Sequence, residues 1–163
     1  MFQTGDLIIY GSTGVCEVTG VQPSDFPGEN RLYYTLSPRY SSGTIYTPVD
    51  SPVFMRRVIT REQAESLIGQ FPNVKETASP ASHRQLAELY EASLKTYDCT
   101  ELLRVIKTAY LKTRRSIQSG RRPGQTDQRY LKRAETQLFG ELAAVLDIRP
   151  DEVRGYIENS VKS

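Results

Sequence analysis

An α+β chain of two domains is what this sequence predicts: a five-stranded antiparallel β-barrel over residues 1–60, then an all-α bundle of about five helices over residues 61–163. Three observations lead there. Short β-like runs divided by glycine-containing turns fill the first 60 residues. After Ile59 the apolar period changes from two to three-and-four and stays helical. Positive charge, only +2 over the whole chain, gathers in one helical stretch.

The β-like runs are Asp6 to Tyr10, Val15 to Val21, Arg31 to Ser37, Thr44 to Val49 and Met55 to Ile59. Between them, Gly11 to Gly14, Pro23 to Gly28 and Ser41 to Gly43 supply the glycines that tight turns require, so consecutive strands are expected to be antiparallel neighbours. In the third run Leu32, Tyr34 and Leu36 alternate with Arg31, Tyr33 and Thr35, the pattern of a sheet with one buried face. So short a stretch shields that face only by closing, or nearly closing, into a barrel.

Beyond Ile59, Thr60 followed by Gln63 reads as a capping box for a short helix from Arg61 to Gly69, stopped by Phe71, Pro72 and Asn73. Ser79 and Pro80 begin a second helix, with Pro80 in its first turn, running to about Thr96. Asp98 with Glu101 caps a third, ending at Gly120; Thr126 opens a fourth to about Leu146, and Pro150 a fifth to about Val161. Asn73 to Ser79 is the most linker-like segment.

With 38% hydrophobic and 25% charged residues and a mean hydropathy of −0.47, the cores should be modest and the surface very polar. Met1 to Tyr10 has no basic leader and no apolar run longer than Leu7 to Tyr10, so neither a signal peptide nor a membrane span is expected, and the location is expected to be cytoplasmic. Cys16 and Cys99 lack the close spacing of a metal site or a disulfide framework. His83, the only histidine, has no cysteine or paired acids at ligand spacing, so no metal is expected. No phosphate-binding glycine loop, nucleophile elbow or close pair of acids in an apolar setting is visible, so no enzyme, no cofactor and no small-molecule substrate is expected.

The charge becomes informative when the chain is divided. Residues 1–60 hold four Lys or Arg against five acids, whereas residues 104–133 hold ten against the single acid Asp127. On the third helix Leu102, Ile106, Ala109, Thr113 and Ile117 share one face, and Arg104, Lys107, Lys112, Arg114 and Arg115 point roughly the other way. On the fourth, Leu131, Ala134, Leu138 and Leu142 face inward and Arg129, Lys132 and Arg133 outward, with Arg121 and Arg122 in the connection. A one-signed patch costs self-repulsion and is the footprint of a phosphate-binding surface, so Arg114, Arg115, Arg121, Arg122, Arg129, Lys132 and Arg133 are candidate contacts to double-stranded DNA, largely independent of sequence. The stretch from Glu141 to Ile157 has helix-turn-helix spacing, but its second helix carries Asp151, Glu152 and Glu158 against Arg154, which suits bundle packing better than phosphates.

Phe2, Gly5-Asp6, Ile9-Tyr10, Gly14-Val15 and Val18 to Val21 resemble the start of the CarD/CdnL family of transcription regulators, and of the related module in transcription-repair coupling factors. Tyr33 with Leu36 and Thr44 to Pro48 resemble its third strand and its strand ending in proline. Leu94 with Asp98, Leu103 with Ile106, Leu131 with Ala134, and Glu141-Leu142 extend the likeness through the helical half. The resemblance implies a Tudor/SH3-like barrel that docks on the RNA polymerase β subunit through an exposed strand, and a helical domain that contacts the upstream edge of the melting promoter and stabilises the open complex. The polymerase-facing positions it implies are Ser24, Phe26, Thr44, Ile45, Tyr46 and Thr47; Ser24 and Tyr46 stand where some members have arginine. Where well-known members insert a tryptophan at the minor groove, this chain, which has no tryptophan, aligns at or beside His83, with Arg84 next to it and Gln85 and Glu88 at positions that are basic elsewhere. The alternative left open is an adaptor on polymerase with little or no DNA contact; a dimeric helix-turn-helix repressor is a third.

Overall fold

The computed structural model describes residues 1–162, and the chain divides between Ile59 and Thr60 into two compact units. In the amino-terminal unit β1 (Leu7–Tyr10), β2 (Gly14–Pro23), β3 (Leu32–Pro38), β4 (Ile45–Pro48) and β5 (Met55–Arg57) form one antiparallel sheet in the order β4-β3-β2-β1-β5. The strands fall on the expected runs, the fifth ending at Arg57 rather than Ile59. A single 3-10 turn, Gly11–Thr13, reverses the chain between β1 and β2; Gly11 opens it and Gly14 follows it with φ of 46° and 87°, a region that side chains strain to enter.

Ile8 of β1, Cys16 and Val18 of β2, and Tyr34 and Leu36 of β3 form the core, with Tyr10, Ile45 and Met55 packed against them. All five strands thus share one core, although the hydrogen-bonded ladder ends at β4 and β5. Side chains complete the roll: Tyr10 Oη donates to Thr47 Oγ1 at 3.3 Å, joining β1 to β4, which are not neighbours in the sheet. Leu32 departs from the expected alternation. It is 40% exposed, because it lies opposite Pro23 at the end of the β2–β3 ladder.

The helical unit contains α1 (Arg61–Gly69), α2 (His83–Lys95), α3 (Cys99–Gln118), α4 (Gln125–Leu146) and α5 (Val153–Lys162). Thr60 and Gln63 form the reciprocal capping box of α1. The second helix begins later than expected: Ser82 is its N-cap, accepting from the Gln85 N–H at 3.2 Å, and Pro80 lies ahead of it. A serine oxygen that reaches an orphan amide of the first turn outweighs the compatibility of proline with that turn. Asp98 caps α3 through the Thr100 N–H, while Glu101 accepts from the Ser93 hydroxyl instead of closing a box. In its left-handed conformation, φ 58°, Asp147 ends α4.

The hairpin of α3 and α4 is the spine of this unit. Leu102, Leu103, Val105, Ile106 and Ala109 bury against Ala134, Leu138, Leu142 and Ala143, and Ile117, expected on the same face, is exposed beyond the end of this seam. The segment expected to be a linker is bound to α3: Lys107 Nζ donates to the carbonyls of Phe71, Pro72 and Val74 at 2.8 to 3.0 Å, and the Thr77 N–H donates to buried Thr108 Oγ1 at 2.8 Å. On α5, Val153 and Ile157 are buried, which leaves the helix-turn-helix-like stretch engaged in packing.

Truncating Leu138, fully buried at the middle of the α3–α4 seam, should cost about 2–5 kcal/mol of stability, the range for emptying a leucine site in a packed core. Urea unfolding of Leu138→Ala followed by the helical circular dichroism signal measures it; a loss below about 1 kcal/mol would mean that the seam collapses around the void.

Candidate interaction surfaces

Two surfaces follow, one on each unit. In the barrel, the Val49 N–H donates to the Leu32 carbonyl at 3.0 Å, which fixes the phase of the β3–β4 ladder. Backbone polar groups alternate along an antiparallel pair, so Ile45 and Thr47 face β3 as Val49 does, and Tyr46 turns its N–H and C=O to the open edge. Pro48 falls on the outward phase, where a missing N–H removes nothing from the ladder.

The side chains sort differently. Tyr46 is 68% exposed and Phe26 70%, and Thr44 is also exposed, whereas Thr47 is 2% exposed and held by Tyr10, and Ile45 packs on the core. Of the expected polymerase-facing residues, Ile45 and Thr47 therefore turn their side chains inward and their backbone polar groups to β3, away from the open edge. Ser24 is committed inside its own loop: its hydroxyl donates to Glu29 Oε2 at 2.9 Å and accepts from the Phe26 N–H at 3.1 Å, while Tyr33 Oη donates to Glu29 Oε1 at 2.7 Å. Tyr33 first and Ser24 second hold the Glu29 carboxyl below its ordinary range. Ser24 thus orders the loop that displays Phe26.

In the helical unit half of the run of ten cations is engaged within the unit, four by acids and one by backbone carbonyls. Arg104 lies 3.5 Å from Glu101, Lys112 3.3 Å from Asp127, Arg115 3.3 Å from Glu76 and Arg133 2.8 Å from Glu91; Lys107 is spent on three carbonyls. Arg115 and Arg133 are thus engaged within the unit rather than held out as free cations. Arg129 lies over the Tyr130 ring at 4.9 Å and donates to its hydroxyl. Among the described residues, Arg114, Arg121, Arg122, Arg129 and Lys132 form no salt bridge, and Arg84 pairs with Glu88 at 3.4 Å on the exposed side of α2.

One cleft gathers part of the candidate set. His83, at the first turn of α2, shares a concavity of about 300 Å³ with Arg121 and Arg122 of the α3–α4 connection, Lys112, Ser116 and Asp127. Arg84, Arg114, Arg129, Lys132 and Arg133 do not line it. Asp127, which charge counting marked only as the exception to a basic run, is buried: Tyr90 Oη donates to its Oδ1 at 2.7 Å. Burial first, then this hydrogen bond, raises the Tyr90 hydroxyl far above its ordinary value. The one signal of that role in the sequence is that Asp127 is the only acid within residues 104–133.

A second concavity, about 220 Å³, is apolar and was not foreseen; Leu103, Ile106, Leu131, Phe139 and Ile157 line it, with Glu135, Arg154 and Glu158 beside them. Among the described residues no group of three or more His, Cys, Asp or Glu could hold a metal ion, and no helix is long and apolar enough to cross a membrane.

Residues 2–59 match the family described as the CarD-like/TRCF RID domain, and the amino-terminal unit belongs to it. The match stops at Ile59, so the likeness of the helical half rests on its residue pattern alone. No curated protein sequence matches the chain.

The Arg133–Glu91 pair makes stability depend on pH. Arg133 first, then the Tyr130 hydroxyl, hold the Glu91 carboxyl below its ordinary 4.5. A depressed carboxylate contributes stability that is fully present above 4.5 and is lost as pH falls through the lower folded value. Arg133→Gln should therefore lower stability at pH 7 by roughly 1 kcal/mol or less, the pair being partly exposed. The gap to the parent protein should narrow on acidification below pH 4.5, read by thermal melting; a gap independent of pH would assign the effect to packing on Tyr130.

Proposed function

We propose, from the membership of residues 2–59 in the CarD-like/TRCF RID family, that this chain is a transcription regulator that docks on the β subunit of RNA polymerase and brings a cationic helical unit to promoter DNA. The observation that carries the reading is the family match coinciding with a strand edge whose Tyr46 amide and ring are both turned outward. Strand addition supplies affinity through main-chain hydrogen bonds and selectivity through exposed side chains, here Tyr46, at a position where some relatives have arginine, and Phe26.

For DNA, the support is the set of five cations without salt bridges, Arg114, Arg121, Arg122, Arg129 and Lys132, which act on phosphates and not on base edges. Exposed His83 at the start of α2 offers less apolar area than a tryptophan for propping open a base step. Binding by the protein alone is accordingly weak, and polymerase docking supplies the local concentration that makes it useful. A second reading, an adaptor that recruits a further protein, is favoured by the apolar concavity along α3, α4 and α5.

Tyr46→Ala removes the ring, and Tyr46→Pro removes the ring and the outward N–H while sparing the β3 ladder. In co-sedimentation of the full chain with its own core polymerase, the alanine variant should bind about tenfold more weakly and the proline variant should not bind. Equal binding by both variants would exclude docking at this edge.

Duplex binding in a gel-shift or anisotropy assay should be insensitive to sequence, with log affinity falling against log salt no more steeply than about −4.5, the limit for five phosphate contacts. Arg114→Gln should shallow that slope by about 1. No binding to duplex even at low salt would move the protein to the adaptor reading.

A further inference from the structure

Four cations of the basic run meet acids, and one of them is held in a way that phosphate can undo. Arg104 meets Glu101 of its own helix, Lys112 meets a buried carboxylate that Tyr90 also holds, and Arg133 meets Glu91 at 2.8 Å with the Tyr130 hydroxyl as a third partner. The Arg115 guanidinium meets Glu76: Nη1 donates to Oε1 at 3.4 Å and Nη2 to Oε2 at 3.3 Å. Its side chain is 60% exposed, where those of the other three are 26–44%. We propose that Glu76 is an autoinhibitory stand-in for phosphate, filling Arg115 in the free protein and yielding it to the backbone of double-stranded DNA. The inference rests on the DNA reading given above.

Two N–H donors on two oxygens is the arrangement in which a guanidinium also takes phosphate, so the carboxylate and a DNA backbone compete for the same fork. The place suits the exchange. Arg115 lies in the last turn of α3 beside Arg114, and the next residue, Ser116, lines the cleft with Arg121 and Arg122; those three arginines form no salt bridge among the described residues. Releasing Glu76 therefore adds one contact to a surface that is already cationic.

The segment that carries Glu76 is built to give way. Residues 74–80 are neither helix nor strand, and they are tied to α3 by the Val74 carbonyl on Lys107 and by the Thr77 N–H on Thr108. Their seating is incomplete, because Thr77 Oγ1 is buried without a hydrogen-bond partner among the described residues. A buried unpaired hydroxyl weakens the hold of the segment on α3, and an exposed ion pair adds little to it. A DNA backbone, by contrast, brings many phosphates and gains from the counterions it releases. The free protein thus spends one arginine less on stray DNA, and Arg115 is recruited where polymerase docking raises the local concentration of duplex.

The test is a double-mutant cycle on the full chain, with duplex affinity read by fluorescence anisotropy over a series of salt concentrations for the parent, Glu76→Gln, Arg115→Gln and Glu76→Gln/Arg115→Gln. Glu158→Gln on α5 removes the same charge and serves as the control. Glu76→Gln should bind about fivefold more tightly at low salt, with a log-log salt slope steeper by about 1. That gain should vanish in the Arg115→Gln background and be absent from Glu158→Gln. An equal gain in both backgrounds, or the same gain from Glu158→Gln, would assign the effect to net charge and overturn the inference. No gain from Glu76→Gln while the parent binds duplex would overturn it and leave the DNA reading standing. Duplex bound by Glu76→Gln and not by the parent would support it in its strongest form, and failure of both to bind even at low salt would remove the DNA reading and the inference with it.

Discussion

Burial of the α3–α4 seam is the constraint on which the helical unit depends. Leu102, Val105, Ile106 and Ala109 have no other place to lose their water than against Ala134, Leu138 and Leu142, and each leucine, valine or isoleucine among them contributes roughly 1.5–3 kcal/mol when fully buried. Once that seam is set, the rest of the surface is fixed by helical geometry. Arg121 and Arg122 must lie at the turn of the hairpin, Lys112 beside Asp127 of α4, and Lys107 over whatever packs on the outer side of α3. Segment 70–78 packs there, because three carbonyls converge on Lys107. The cleft at the hairpin tip is thus a by-product of an apolar zipper, placed by leucines that touch nothing in it.

Electrostatics is governed by a second rule, that proximity in space and proximity in sequence are different things. Residues 104–133 read as a nearly pure cationic block. In the fold, Glu76 and Glu91 come from other segments to meet it, Glu101 meets it from the preceding turn of α3, and the block's own acid goes underground beside Lys112. The field that remains comes from a few arginines and a lysine. On the function proposed above, that suits a weak, salt-dependent attraction to phosphate.

Much of the fold was legible in the sequence. Alternating apolar residues and glycine turns mark all five strands, and Thr60 with Gln63 marks the start of α1 to the residue, because a capping box is a local device whose partners lie three positions apart. The start of α2 was not legible: Ser79 and Ser82 offer the same chemistry to a helix start, and only the reach of the Ser82 hydroxyl to Gln85 separates them. Nor was the alternation in β3 a reliable guide at its first residue, Leu32, where the ladder runs out opposite Pro23. In the barrel, the pattern of Thr44 to Pro48 pointed to the right strand but could not say that Thr47 turns inward to Tyr10, since that contact joins strands far apart in the sheet. The cleft was half visible: His83, Arg121 and Arg122 were candidates, but nothing in the spacing brings positions 83 and 121 together, and Asp127 looked like an exception rather than a floor.

The proline at the end of β4 has a consequence for how anything can be added to that edge. With Ile45 and Thr47 turned to β3 and Pro48 lacking an N–H, an incoming strand finds a single well-placed donor, at Tyr46. One anchor point admits one alignment: a strand that slides by two residues toward the proline loses its partner, and one that slides the other way runs off into the turn before Ile45. The edge is too short to template stacked copies of itself, which guards the free protein against self-association. The same brevity makes the edge selective for register, since a strand shifted in either direction forfeits the Tyr46 donor.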